Sequence, residues 1–489
     1  MKKQIISTLL LMSMLATASC GGGTTSGNDT TKPTDSAETT APADNSPKLE
    51  LPDVDYNGKT YTILTTVHAS YEYDAVEETG DVVNDAVFRR NQTVEDKLGI
   101  KFDFIIEPGQ WGDRENFNAL VKNSVMAADN AFDLVNGVVV IVLPMASDGL
   151  FIDANTLEYV NLTNPWWVQG MNDNLAIGGK LYGFIGDASL SLYKDLSVCY
   201  FNKKLLSDYS LDDPYELARS GKWTVDNMMS MVAQVSNDLD GDGAITAEKD
   251  LLGLISCTVP NRAYQTSCEV KVIEYDDDKN PMIADLAERD VDLYNKLYEV
   301  FAKSENVYNN GNNEHQKYTG YFAEDRSLFM TTFLYATDYL RDMKSDFGIV
   351  PYPKRDEDQE NYHTQIGTST SMFFVPKTTA DPELTSMVCE ALSYYSRKDV
   401  VPAYYEVALK EKYTRDEEVK EMLDIIRDGA QMDFAFAYST AFDPFINCLT
   451  EFYPNEGEKQ DHIASFYASK KPNWDATLQE IVEAFNELD

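Results

Sequence analysis

The 489-residue sequence is short of positive charge: 41 lysines and arginines stand against 81 aspartates and glutamates, a formal net charge of −40. A chain this acidic repels polyphosphate, which makes nucleic acid a poor partner. Anionic small ligands are disfavoured for the same reason unless a local basic pocket overrides the field, and neutral ligands are the easy case. Histidine is scarce as well. His68, His315, His363 and His462 lie far apart in unrelated contexts, so no zinc spacing exists. The six cysteines include no CxxC and no Cys-to-His metal spacing. After Cys20, the remaining five (Cys199, Cys257, Cys268, Cys389 and Cys448) are odd in number and scattered. That favours buried free thiols over a disulfide framework, with a Cys257–Cys268 pair across residues 260–266 left open. Past the N-terminus no run reaches 18 apolar residues, so no transmembrane helix is expected. Catalytic signatures are missing too: there is no G-x-S-x-G, H-E-x-x-H or P-loop, and no G-x-G-x-x-G behind a strand. A glycosidase carboxylate pair stays open, but nothing singles one out.

What is present is apolar material: 43% hydrophobic and 11% aromatic residues, enough for large cores. The length allows about three units, or two lobes plus appendages. At the N-terminus, Lys2 and Lys3 precede an apolar run from Ile5 to Ala16, then the small residues Thr17-Ala18-Ser19 and Cys20. This resembles a bacterial lipoprotein signal over residues 1–19, in which Cys20 is lipidated and begins the mature chain. The alternative is an ordinary secretory signal with a chance cysteine. Residues 20–50 are rich in Gly, Ser, Thr, Asp and Pro, and read as a disordered tether holding a globular body at the outer face of a membrane.

From Tyr61 the pattern alternates strand and helix. Tyr61–Thr66 is a β-branched strand. A helix over Gly80–Leu98 follows, with Gly99 as its stop, then strand Ile100–Ile105, helix Asn116–Ala128 and strand Phe132–Val135. This β-α-β-α-β order implies a parallel sheet with helices on both faces, and ligands bind at the carboxyl ends of such strands. Thr66 and His68, just past the first strand, are thereby placed toward a ligand. Asn164-Pro165-Trp166-Trp167 offers two readings, core anchors or one sugar platform at Trp166. Thr224 is the expected N-cap of a helix starting at Val225, with Trp223 stapled beneath it.

The segment from Asp238 to Thr246 has oxygen-bearing residues at alternate positions (Asp238, Asp240, Asp242), glycines at 241 and 243, and Ile245 at position 8. It reproduces the start of a calcium loop of EF-hand type. Ala244 supplies a carbonyl and Thr246 a hydroxyl. Lys249 stands where the last acid is expected, leaving Glu248 or Asp250 to complete a structural site. The other reading is an acidic turn without a metal.

The stretch Gly178–Leu206 (GGKLYGFIGDASLSLYKDLSVCYFNKKLL) reads as two short strands, Leu181–Ile185 and Ser197–Asn202, before a lysine-rich helix start. It resembles the first inter-lobe crossover of the extracellular solute-binding proteins that feed sugars to ABC importers. Phe322–Met330 is similar to their second crossover. The resemblance extends from about Tyr61 to the end by order of elements, and several relatives carry a D-x-D-G-D-G loop at the position of residues 238–243. It implies an α/β, two-lobed periplasmic-binding-protein-like fold, each lobe a mostly parallel sheet flanked by helices, plus C-terminal helices. Lobe 1 would take residues 51–187 and 329–397, lobe 2 residues 188–328, and residues 398–489 would pack mainly on lobe 2. It also implies a monomeric, non-enzymatic protein that closes on a carbohydrate and delivers it to membrane permease subunits. Ligand contacts would come from Thr66, His68, Trp166, Tyr193, Tyr335, Gly367, Thr368 and Tyr438. A sensing lipoprotein of the same fold and an exported glycan-degrading enzyme are the alternatives.

Overall fold

Strand β1 (Lys59–Thr66) is flanked by β2 (Ile100–Glu107) and β3 (Leu134–Val138), parallel to both, and β12 (Ser371–Phe374) closes the sheet antiparallel to β3. The computed structural model describes residues 47–310, 315–410, 417–442 and 463–488; the expected leader, Cys20, most of the tether and Cys448 lie outside the described residues. Between β1 and β2, the helix Val82–Leu98 is started by Asp81, whose carboxylate accepts from the N–H groups of Val83 (3.1 Å) and Asn84 (2.8 Å). It is stopped by Gly99 at φ +65°, where a Cβ would fall 2.0 Å from Asp55 Oδ1. Its buried stripe carries Ala86, Val87, Val94 and Leu98 together with Arg90 and Asn91. The Arg90 guanidinium is satisfied by the Glu72 carbonyl (2.6 Å), Ser396 (3.0 Å) and Asn91.

A second sheet has the order β10-β4-β9-β5-β8. Here β4 (Ser197–Asn202) runs antiparallel to both of its neighbours, β10 (Phe347–Val350) and β9 (Ser327–Phe333), while β5 (Leu252–Cys257) and β8 (Val307–Asn310) continue parallel on the other side of β9. Two short pairs complete the strands: the hairpin β6 (Ile273–Tyr275) with β7 (Pro281–Ile283), and β11 (Thr364–Gln365) with β13 (Ala430–Gln431). Both sheets belong to one unit spanning Pro47–Asp489. Thr224 caps the helix that follows it, as expected, and Asp381 caps the helix Pro382–Tyr395. Cys199, Cys257, Cys268 and Cys389 are buried free thiols. Among the described residues no helix is long and apolar enough to cross a membrane.

Three local expectations change. Leu181–Ile185 is not a strand: only Phe184 bridges, to Phe373. Gly183 and Gly186 instead let the backbone approach neighbours closely, since a Cβ would meet Phe374 at 2.4 Å and Trp167 at 2.6 Å. The chain also does not return to the first sheet at residue 329. The run from Ser327 to Phe333 is buried at every position and takes the centre of the second sheet, and β10 pairs with β4, Phe347 opposite Asn202. Re-entry comes only at β12. Finally, the C-terminal helices serve both lobes. The helix Glu417–Asp428 reaches Arg219 through Glu421 (2.8 Å) and Asp187 through Arg427 (2.9 Å), and Ile463–Asn486 packs on both β7 and residues 143–148.

Candidate functional site

The chain passes between the sheets along residues 191–196 and 366–371, and these segments run side by side. Leu196 bridges Ile366, the Gly367 N–H donates to the Asp195 carbonyl (2.8 Å), and the Ser371 N–H donates to Ser191 Oγ (2.9 Å). A buried carboxylate pins both segments to the first sheet. Glu72 accepts from the Ser191 N–H (2.7 Å), the Ser371 hydroxyl (2.6 Å) and Asn136 Nδ2 (3.0 Å); burial raises its pKa while these donors oppose the rise.

Above this floor lies a cleft of about 880 Å³. One wall is His68 and Tyr71, in the loop at the carboxyl end of β1; the other is Gln316 and Lys317 of the helix His315–Ala323, with Tyr335, Asp338 and Tyr339 from the turn after β9. Ser191, Lys194, Asp195 and Ser369 line the base. Tyr335 stacks on Phe333 (5.8 Å between centroids) and meets Tyr339 edge-on (6.4 Å), leaving the Tyr339 ring 49% exposed. Burial, reinforced by nearby Lys194, lowers the His68 pKa, and burial pushes the Asp195 carboxyl up to about 7. Tyrosine faces, hydroxyls and carboxyls around a space of this size suit a ligand with both apolar and hydrogen-bonding surface.

Of the residues named from the sequence, His68 and Tyr335 meet across this cleft. Gly367 and Thr368 sit in the connecting segment that ends at the lining residue Ser369; a Cβ on Gly367 would press Asp195 and Phe333 at 3.1 Å. Thr66 lies beneath the cleft, fully buried, its hydroxyl accepting from the Ala69 N–H (3.3 Å). The other three are core residues. Trp166 donates to Glu390 Oε1 (3.0 Å), and the same carboxylate takes Trp167 (2.9 Å) and Asn164 (2.7 Å). Tyr193 is held by Asp187 (2.6 Å), and Tyr438 stacks on Phe434 (4.3 Å). Among the lining residues that sequence reasoning did not name are Tyr71, Lys194, Asp195, Asp338 and Tyr339. Tyr71 is three residues past His68 in the same loop, and Asp338 and Tyr339 follow Tyr335 by one helical turn, so spacing from the two named residues that line the cleft was the available signal for these three.

No residue of the acidic loop lines the cleft, and Glu248 touches the cleft wall only at Lys317 among the described lining residues (3.4 Å). Asp238 accepts from the N–H groups of Gly241 (2.7 Å) and Gly243 (2.9 Å), and Asp242 from that of Ala244 (2.9 Å). Carboxylate oxygens of Asp238, Asp240 and Asp250 lie within 4.8 Å of one another. The Thr246 N–H, 2.8 Å from Asp250, holds that carboxyl below the usual range. Glu248 turns away, to Tyr321 (2.9 Å) and Lys317 (3.4 Å). The Lys249 ammonium bridges Asp240 (2.7 Å) and Asp242 (3.2 Å). The three gathered acids fit a hard cation with Asp250, rather than Glu248, as the last acid.

No family model matches the sequence, nor does any curated protein sequence. Solved structures do match. The galacto-N-biose/lacto-N-biose I-binding protein of the ABC transporter from Bifidobacterium longum aligns with a TM-score of 0.54 at 11% identity, over 87% of this chain and 98% of that one. A cyclo/maltodextrin-binding protein complexed with maltotetraose gives 0.52 at 13%, over 88% and 98%. UspC of M. tuberculosis gives 0.52 at 12%, over 85% and 100%. With its two sheets, paired crossovers and intervening cleft, the chain has the two-lobed fold of the solute-binding proteins of ABC transporters.

Proposed function

We propose that this protein is the substrate-binding component of an ABC importer: it captures a carbohydrate by closing its lobes and passes it, as a monomer, to membrane permease subunits. The observation that carries this reading is the cleft itself, walled by loops from two separate sheets and floored by the segments that join them. Ligand contacts to both walls favour the closed state over the open one, which is how binding becomes closure. The exposed Tyr339 face offers the apolar platform that a pyranose C–H face packs against. The solved proteins of this fold bound to lacto-N-biose and maltotetraose support a saccharide as cargo. They are binding proteins, which supports capture without turnover. The N-terminal sequence supports a lipid on Cys20 and a place at the outer face of the membrane.

Calcium belongs to the same proposal, as a structural ion held by Asp238, Asp240, Asp242, the Ala244 carbonyl, Thr246 and Asp250. When bound it would neutralise clustered carboxylates and stiffen the loop before β5. Titration of calcium into chelator-stripped protein tests this; absence of binding heat refutes it. For the cargo, thermal unfolding against neutral and charged saccharides, amino acids and peptides decides. A ligand at ~100 times its dissociation constant adds about 2.7 kcal/mol. Stabilisation by a peptide or an amino acid but by no saccharide would overturn the carbohydrate reading.

A further inference from the structure

The charges lining the cleft do not cancel. Asp338 is paired with Arg341 (3.1 Å), and Lys317 lies 3.4 Å from Glu248. His68 is held toward its neutral form by burial and by Lys194, and Asp195, pushed up to about 7 by burial, is largely neutral below that pH. Glu72, beneath the floor, has both carboxylate oxygens occupied by Ser191, Ser371 and Asn136. Lys194 is the exception. It forms no ion pair with any described residue, and its ammonium sits 3.9 Å from the centroid of the Tyr71 ring at the base of the cleft. In a chain of net charge −40, a cation held over an aromatic face, with the buried Asp195 carboxyl as an electrostatic neighbour but no described carboxylate within ion-pair distance, stands out against the field of the whole protein.

We propose that the cleft selects an anionic saccharide, one bearing a carboxylate or a sulfate ester, with Lys194 as the charge partner of that group. The inference rests on the carbohydrate reading above and narrows it. Lys194 donates to the anionic oxygens from the Tyr71 face, the hydroxyls of Ser191 and Ser369 lie on the same base, and Tyr339 remains for the sugar ring. A charge-assisted hydrogen bond in a partly desolvated cleft is about twice as strong as a neutral one, which corresponds to a preference on the order of tenfold.

The test is calorimetric titration of the purified protein with matched pairs: digalacturonate against its neutral counterpart galactobiose, and a 6-O-sulfated disaccharide against its unsulfated parent. The expected result is a preference of about tenfold or more for the charged member of one pair, which identifies the anion as carboxylate or sulfate. Lys194→Met should bring the two members within about twofold of each other, and Lys194→Arg should restore the preference. Neutral saccharides binding as tightly as their charged partners would overturn the inference and leave the carbohydrate reading standing. A charge preference that persists in Lys194→Met would overturn the role of Lys194. Binding of amino acids or peptides but of no saccharide would sink both.

Discussion

Asp195 provides the most quantitative test of the cleft's electrostatics. Its carboxyl is buried at the junction of the two crossovers, where the Thr370 hydroxyl (3.5 Å), the Ser369 backbone and the Lys194 charge favour its ionised form, but burial outweighs them and moves its pKa from 3.8 to about 7. Because the folded-state value is the higher one, the group is protonated in both states below about pH 4 and contributes nothing there. As pH rises toward 7 the unfolded chain releases the proton while the folded protein retains it, so stability is lost across that window. At 1.36 kcal/mol per tenfold change in proton affinity, the full loss is about 4 kcal/mol, of which about 2–3 kcal/mol falls between pH 5 and pH 8. Asp195→Asn keeps the shape and an acceptor for Thr370 but cannot ionise. Its stability relative to the parent should therefore grow by about 2–3 kcal/mol from pH 5 to pH 8 in urea denaturation of the ligand-free protein. Titrating groups that do not interact with Asp195 cancel in that difference. A variant whose advantage changes by less than about 0.5 kcal/mol over the same range would show that this carboxyl is ionised in the folded cleft at pH 5, refuting the burial argument.

Glu390 accepts from Asn161, Asn164, Trp166 and Trp167, so Glu390→Gln, which turns an amide donor toward indole donors, should cost about 2–4 kcal/mol in the same assay. Gly183→Ala should cost about 1–3 kcal/mol, because its Cβ would fall 2.4 Å from the Phe374 ring. Tyr339→Ala removes an exposed ring and should leave the unfolding midpoint nearly unchanged while weakening saccharide binding roughly three- to tenfold by calorimetry. In the acidic loop, Lys249→Glu exchanges a competing ammonium for a carboxylate and should tighten calcium binding, whereas Asp250→Asn should abolish it.

Much of this molecule is local and therefore written in the sequence. The cap at Asp81 and the left-handed stop at Gly99 bound a helix whatever surrounds it, and the glycines of the acidic loop turn the chain because only they adopt its φ values without strain. Strand-helix alternation likewise placed His68 at the carboxyl end of β1. Local pattern does not decide which aromatic residues face the ligand. Trp166 and Tyr339 are both large amphipathic rings, and their fates differ through partners remote in sequence: Glu390, 224 positions after Trp166, draws that indole into the core, while Tyr339 touches Tyr335 and Gln316 and stays half exposed. Nor can spacing show that Asp338 pairs with Arg341 while the Lys194 ammonium comes to rest over the Tyr71 face. The charge of a binding site is a sum over neighbours, and those neighbours are assigned only when the two sheets pack and the crossovers lie side by side.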